Sequence, residues 1–332
     1  MTEAIDTGLL KLVRDARRHL IPIGKDSDQW LDRFEERHDE LQALMEILLV
    51  SDPPAASEAG ATLWRFWWLR GHMAEGRAFL ERAGTIQGTD RIEVLKGLGT
   101  ISFRQGDLDA AERAFTERFN LLAGTDQQRD LADACADMAR VALRRGDFAK
   151  VRSYAEQGYV AARDVGPEAI LMPLHMRAAA ARMEGRYEEA RALYLESRDL
   201  NERFGKGGNV AGEDHNLMYV ALHSGDRAEA EKRFRSSSEW IFGHEDAYLR
   251  PYAFLDAGVL AIHDGDLERG ARLVARAERI FQESGSIPDP DDRVELDDSI
   301  ARLRKELGSR FESAWAEGRE MSLGEAQALA RS

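Results

Sequence analysis

The chain has 332 residues, 43% hydrophobic and 32% charged, with 28 glycines and 8 prolines, the balance of a folded protein whose elements expose long polar faces. Its 46 basic residues against 60 acidic ones give a formal net charge of −14. That charge works against nucleic-acid binding, which needs Lys and Arg gathered on one face to displace counterions. The lone cysteine, Cys135, excludes an internal disulfide or a cysteine metal cluster, and it points to a reducing, cytoplasmic setting.

Residues 4–20 carry acids early and no unbroken apolar stretch. They read as an amphipathic helix, not a signal peptide, and no later segment approaches the roughly 18 apolar residues of a membrane span. A loop, IPIGKDSD, follows; Asp28 is expected to cap a second helix running to about Val50, and SDPPAAS to break the chain before an internal repeat begins. Six turns then recur: RGHMAEG at Gly71, QGDLDAA at Gly106, RGDFAKV at Gly146, EGRYEEA at Gly185, SGDRAEA at Gly225 and DGDLERG at Gly265, spaced by 35, 40, 39, 40 and 40 residues. So regular a period marks a solenoid of helix pairs. The glycine supplies the left-handed residue that ends one helix. Asp107, Asp147, Asp226 and Asp266 supply the N-cap of the next, and Asp226 with Glu229 spells a capping box.

Seven residues before the turn glycine the side chain is mostly small (Gly99, Ala139, Ala178, Gly258), and five after it small again (Gly76, Ala111, Ala190, Ala230, Gly270). These positions let paired helices approach closely. Phe115, Tyr194, Phe234 and Val274, four positions further on, are expected to fill the gap to the neighbouring hairpin. Cys135 falls on the packed side of its helix, and Trp64 and Trp67 read as core. After the last repeat, SIPDPDDRVELDD reads as a solvated acidic linker. It lacks the sixth-position Gly and twelfth-position Glu of a calcium loop. Helices are expected over about 291–307 and 309–318, with a last one from Ser322. The domain reading is capping helices in 1–55, about six helix pairs in 56–286 and capping helices in 287–332.

The small, bulky and turn positions resemble the tetratricopeptide pattern, lengthened in the inter-repeat connections. The expected fold is therefore all-α, a right-handed superhelical solenoid. Three stretches resemble a narrower family: WLDRFEERHDEL from Trp30, LWRFWWLRGHMAEGRAFLERA from Leu63 and FESAWAEGREMSLGEAQALA from Phe311. Together they are similar to the repeat region of LuxR- and AfsR-type multidomain signal-transducing ATPases, common in actinobacteria. The chain carries no G-x-x-x-x-G-K-[ST] phosphate loop, and no helix-turn-helix follows Ala330. The resemblance thus implies a repeat module standing alone, sensing a ligand or partner, with Glu75 and Arg77 serving packing rather than catalysis.

In such a solenoid the first helix of each pair lines the concave face. Positions 13, 10, 9, 6, 3 and 2 before the turn glycine should point inward. They give Arg65, Trp68, Lys96, Phe103 and Arg104; then Asp133, Asp137, Arg140 and Arg144; then His175, Met176, Arg182 and Met183; then His215, Asn216, Tyr219 and His223; then Tyr252, Asp256, Ile262 and His263. Four of the eight histidines fall here, in two register columns, His175 with His215 and His223 with His263. The other four, His19, His38, His72 and His244, are expected to be unclustered.

Three chemistries suit the face: a plain wet surface, a pocket orienting a polar ligand over aromatic and Met walls, or a metal held by His175, His215 and Asp256. Neither a metal nor a cofactor is expected. Function divides between a regulatory binding module for a peptide, protein or small metabolite and a cofactor-independent enzyme or sequestering protein. In the latter, His215 and Asp256 would do acid–base work. A homodimer is allowed; nucleic acid and membrane are not expected partners.

Overall fold

The computed structural model describes residues 6–21 and 26–332. Residues 4 and 5 of the expected first helix and 22–25 of the expected loop lie outside them. The described residues form an all-α solenoid of helix pairs, with no strand among them. Contacts divide the chain into two units, residues 1–127 and 128–332.

The first unit holds α1 (Thr7–Leu20), α2 (Ser27–Glu36), α3 (His38–Ser51), α4 (Pro53–Leu69), α5 (Met73–Ala83), α6 (Arg91–Arg104) and α7 (Leu108–Leu122). The single helix expected up to Val50 is in fact α2 and α3, broken at Arg37, and Asp28 lies inside the first turn rather than capping it. SDPPAAS breaks the helical chain at Asp52 alone, between α3 and α4. Asp52 caps α4 through the Ala55 amide, and Pro53 and Pro54 occupy the first turn, where a missing N–H costs nothing. Trp64 and Trp67 are buried, as expected of core residues.

The second unit holds α8 (Gln128–Arg144), α9 (Phe148–Ala162), α10 (Leu171–Met183), α11 (Tyr187–Arg203), α12 (Gly207–His223), α13 (Arg227–Gly243), α14 (Arg250–His263), α15 (Leu267–Glu283), α16 (Pro290–Leu307), a 3-10 turn (Gly308–Arg310), α17 (Phe311–Glu320) and α18 (Leu323–Arg331). Cys135 is a buried free thiol on α8.

All six turn glycines adopt positive φ, between 71° and 86°. Asp107, Asp147, Asp226 and Asp266 each accept the amide three residues on, at 3.0, 3.1, 3.0 and 3.2 Å. Each such cap contributes about 1 kcal/mol. The box expected at Asp226 is half formed, because the Glu229 carboxylate turns to Arg233 instead. A full capping box stands at Ser322 and Glu325.

Phe115 lies on Gly99 of its own helix pair, where an added Cβ would sit 2.3 Å from its ring. Val274 does the same to Gly258, an added Cβ meeting it at 2.7 Å. Small-against-bulky complementarity is thus used within each of these pairs, which explains why the two positions keep a fixed offset from the same turn.

Candidate functional site

The segment expected to be a solvated linker is buried. Asp291 and Asp292, in the first turn of α16, are 6% and 4% exposed. This turn lies against α8 and α10, while the rest of the helix packs on α14 and α15, where Leu296, Leu303 and Leu307 join their apolar core. Burying carboxylates is unfavourable unless cations and hydrogen bonds receive them. The inner face of the repeats supplies both.

Arg182 of α10 is the principal receiver. Its side chain is 2% exposed and donates to Asn216 Oδ1 at 2.7 Å, Asp291 Oδ2 at 3.0 Å, Glu295 Oε1 at 3.2 Å and Asp292 Oδ1 at 3.4 Å. The guanidinium also lies 4.5 Å from the Tyr219 ring centroid. Five fixed N–H donors suit Arg, rather than Lys, to several acceptors at once. Burial disfavours the charge, but the carboxylates of Asp291, Asp292 and Glu295 outweigh it and hold the pKa well above the ordinary arginine value.

His215 of α12 stands between two carboxylates. Nδ1 is 2.8 Å from Asp256 Oδ2, and Nε2 is 3.0 Å from Asp292 Oδ1. Only an imidazolium can donate from both ring nitrogens. Burial opposes the proton, yet Asp256 and Asp292 raise the His215 pKa well above normal. Tyr219 and Tyr252 meet the ring edge-on, at 5.3 and 5.5 Å. Burial and the neighbouring Asp292 charge lift Asp291 to about 6 against the pull of Arg182.

Further contacts hold the same segment. His223 Nε2 lies 2.8 Å from Glu295, Arg144 donates to the Pro288 carbonyl at 3.0 Å, and the Tyr252 hydroxyl accepts the Asp289 amide at 3.2 Å.

His175 belongs to a neighbouring group. Its Nδ1 is 3.1 Å from both oxygens of Glu213, which also accepts the Ser197 hydroxyl at 2.6 Å. Burial opposes its protonation, but Glu213 prevails and raises its pKa. The expected column pairs therefore do not form as pairs. His175 goes to Glu213, His215 to Asp256 and Asp292, and His223 to Glu295, while His263 ends α14 exposed. The metal grouping of His175, His215 and Asp256 does not converge among the described residues. Met176 is buried with Ala139, Ala142 and Ala179, and Arg140 pairs with Asp137 at 3.5 Å.

In the first unit, the predicted residues form their own stack. Arg104 lies 5.6 Å from the Trp68 ring centroid, Trp68 stacks on Trp64 at 6.0 Å, and Arg65 covers Trp64 at 4.3 Å. Arg65 also lies 3.6 Å from Glu93.

Sequence reasoning missed Asp291, Asp292 and Glu295, and it missed Glu213, one register position outside the columns considered. It also missed a histidine cluster. His38 and His72, expected to be apart, stack with centroids 4.0 Å apart.

These features define a tetratricopeptide-like helical repeat protein, and comparison with solved structures agrees. A Rap protein complexed with competence and sporulation factor superposes with a TM-score of 0.61 at 14% identity, covering 97% of this chain and 96% of that one. A tetratricopeptide repeat protein from Parabacteroides merdae gives 0.56 at 14%, covering 87% and 97%. The Rap conjugation gene regulator of the plasmid pLS20, in complex with the Phr* peptide, gives 0.54 at 11%, covering 91% and 97%. At these identities the likeness is one of fold. No protein-family model matches the chain, and no curated protein matches it. No helix among the described residues is long and apolar enough to cross a membrane.

Proposed function

We propose that this chain is a regulatory binding module whose inner repeat face, on α8, α10, α12 and α14, grips an extended peptide or protein segment bearing neighbouring carboxylates. The single observation that carries this reading is the way the face already holds a polypeptide. Residues 288–295 of its own chain are bound there by Arg144, Arg182, His215, His223 and Tyr252. Arg182, His215 and His223 lie on the repeats, and the Asp291, Asp292 and Glu295 carboxylates they meet lie on the occupant. In this reading the start of α16 is an internal ligand that a partner segment of like chemistry displaces. Two solved structures of similar fold, both Rap proteins, are complexes with competence and sporulation factor and with the Phr* peptide, which supports peptide binding as the use of the scaffold. The FWxxRG and AWxEGRxMS motifs support kinship with the repeat region of LuxR- and AfsR-type regulators.

The test is competition. A labelled peptide spanning residues 286–298 is titrated into the full wild-type chain and into a chain carrying Asp291→Asn, Asp292→Asn and Glu295→Gln. The variant, whose own segment is loosened, should bind the peptide at least tenfold more tightly, and adding Arg182→Met should abolish the gain. Equal weak binding to all three chains would remove the reading.

A further inference from the structure

We propose that His38, His72 and Glu75 form a binding site for a divalent transition metal of the zinc class, distinct from the acidic-segment site and independent of it. The three residues come from two places in the first unit. His38 is the first residue of α3, while His72 is the N-cap of α5 and Glu75 lies three residues further on, in its first turn. One ligand atom from each lies within 4.8 Å of the other two. Tetrahedral zinc with bonds near 2.0–2.1 Å separates its donors by about 3.4 Å, so modest side-chain rotation closes the set. Glu35, at 3.0 Å from His72 Nε2, is placed to supply a fourth oxygen.

The surroundings orient these donors. Trp67, fully buried, donates its indole N–H to Glu75 Oε1 at 2.9 Å, which leaves Oε2 facing His38 Nε2 at 2.8 Å. Both imidazoles rest on buried Phe66, His38 at 5.8 Å and His72 at 5.4 Å between ring centroids. An outer ring of this kind, fixing a carboxylate through one oxygen and holding rings against an apolar floor, is what metal ligands require. Without metal, each Nε2–H donates to a carboxylate. With metal, the cation replaces those protons between the same atoms, and Glu35 and Glu75 offset its charge as well as the opposing dipoles at the starts of α3 and α5. The bound ion would tie the α2–α3 junction to the α4–α5 turn. That is a structural role, with no substrate implied.

The full chain, freed of metal, is titrated with zinc chloride by calorimetry and with cobalt(II) chloride by visible absorption. One equivalent should bind, with the band intensity of a four-coordinate ion. Affinity should fall as pH drops and protons compete. His72→Ala and His38→Ala should each weaken binding at least tenfold, while His244→Ala leaves it unchanged. Should the variants fold poorly, X-ray absorption of the zinc-loaded wild type decides: two imidazoles in the first coordination sphere support the site. Absence of binding, binding undiminished in both variants, or a sphere without two imidazoles overturns it.

Discussion

Arg182 and Asp291 lie 109 positions apart in the chain, yet the guanidinium Nη1 donates to the carboxylate Oδ2 at 3.0 Å with both side chains almost wholly buried. This pair fastens the first turn of α16 to the repeat face. Removing one partner of a buried ion pair costs about 3–5 kcal/mol, because the other is left uncompensated. Arg182→Met should therefore free residues 288–296 while the helix pairs stay folded. Hydrogen exchange would show lost protection confined to that segment. Unchanged protection there would mean that the apolar contacts of Leu296, Leu303 and Leu307 hold α16 without the charges.

The turns make a second, sharper prediction. Gly225 has φ of +81°, a conformation that costs an L-residue about 1–2 kcal/mol. Gly212 lies inside α12 with open space where a Cβ would go. Gly225→Ala should destabilise by roughly that amount, whereas Gly212→Ala should stabilise by about 0.5–1 kcal/mol. Urea midpoints with unchanged slopes would measure both, and a shift of the same sign in the two variants would refute the assignment.

Legibility in the sequence followed the range of the interactions. The repeat was readable because its signals are local: a glycine that must turn left, an aspartate that must cap, small residues at fixed offsets. The faces were readable for the same reason, and Arg182, His215, Asn216, Tyr219 and Asp256 do meet. What covers them was not. Asp291 and Asp292 in a proline-bearing acidic stretch look solvated until a buried Arg182 and His215 are set beside them, and nothing local announces that meeting. The contact between His38 and His72 escaped for a related reason, since it joins the expected capping region to the first repeat across a register the six turns do not define.

Close approach inside the hairpins gives a third prediction. A Cβ on residue 99 would lie 2.3 Å from the Phe115 ring. Overpacking of this kind costs about 1–3 kcal/mol. Gly99→Ala should lower the melting temperature, and Phe115→Leu in the same chain should recover part of the loss, because the smaller side chain vacates the space. The double-mutant cycle measures the coupling. Additive losses would mean that the backbone, and not Phe115, sets the need for glycine.

The buried cluster should also respond to pH, in a direction its titrating groups fix. Asp291 is raised from 3.8 to about 6, and His215 is raised well above 6.5. A group whose folded pKa exceeds its unfolded value stabilises the folded form at low pH and loses that contribution as pH rises through the interval. Asp291 therefore weakens the docking of α16 between about pH 4 and 6, and His215 weakens it further above 6.5. Glu295 acts the other way: burial is outweighed by His223 and Arg182, its pKa is lowered, and its contribution disappears only as pH falls below the ordinary glutamate range. The start of α16 should be held most firmly in mildly acidic solution and more loosely in alkaline solution. Hydrogen exchange of residues 288–296, corrected for intrinsic rates, would show opening increase from about pH 4.5 to about pH 8.5. Asp291→Asn should remove the lower part of that dependence and leave the upper part, which belongs to His215 between Asp256 and Asp292. Protection that stayed level or rose across the interval would show that His215 does not carry the proton between its two carboxylates.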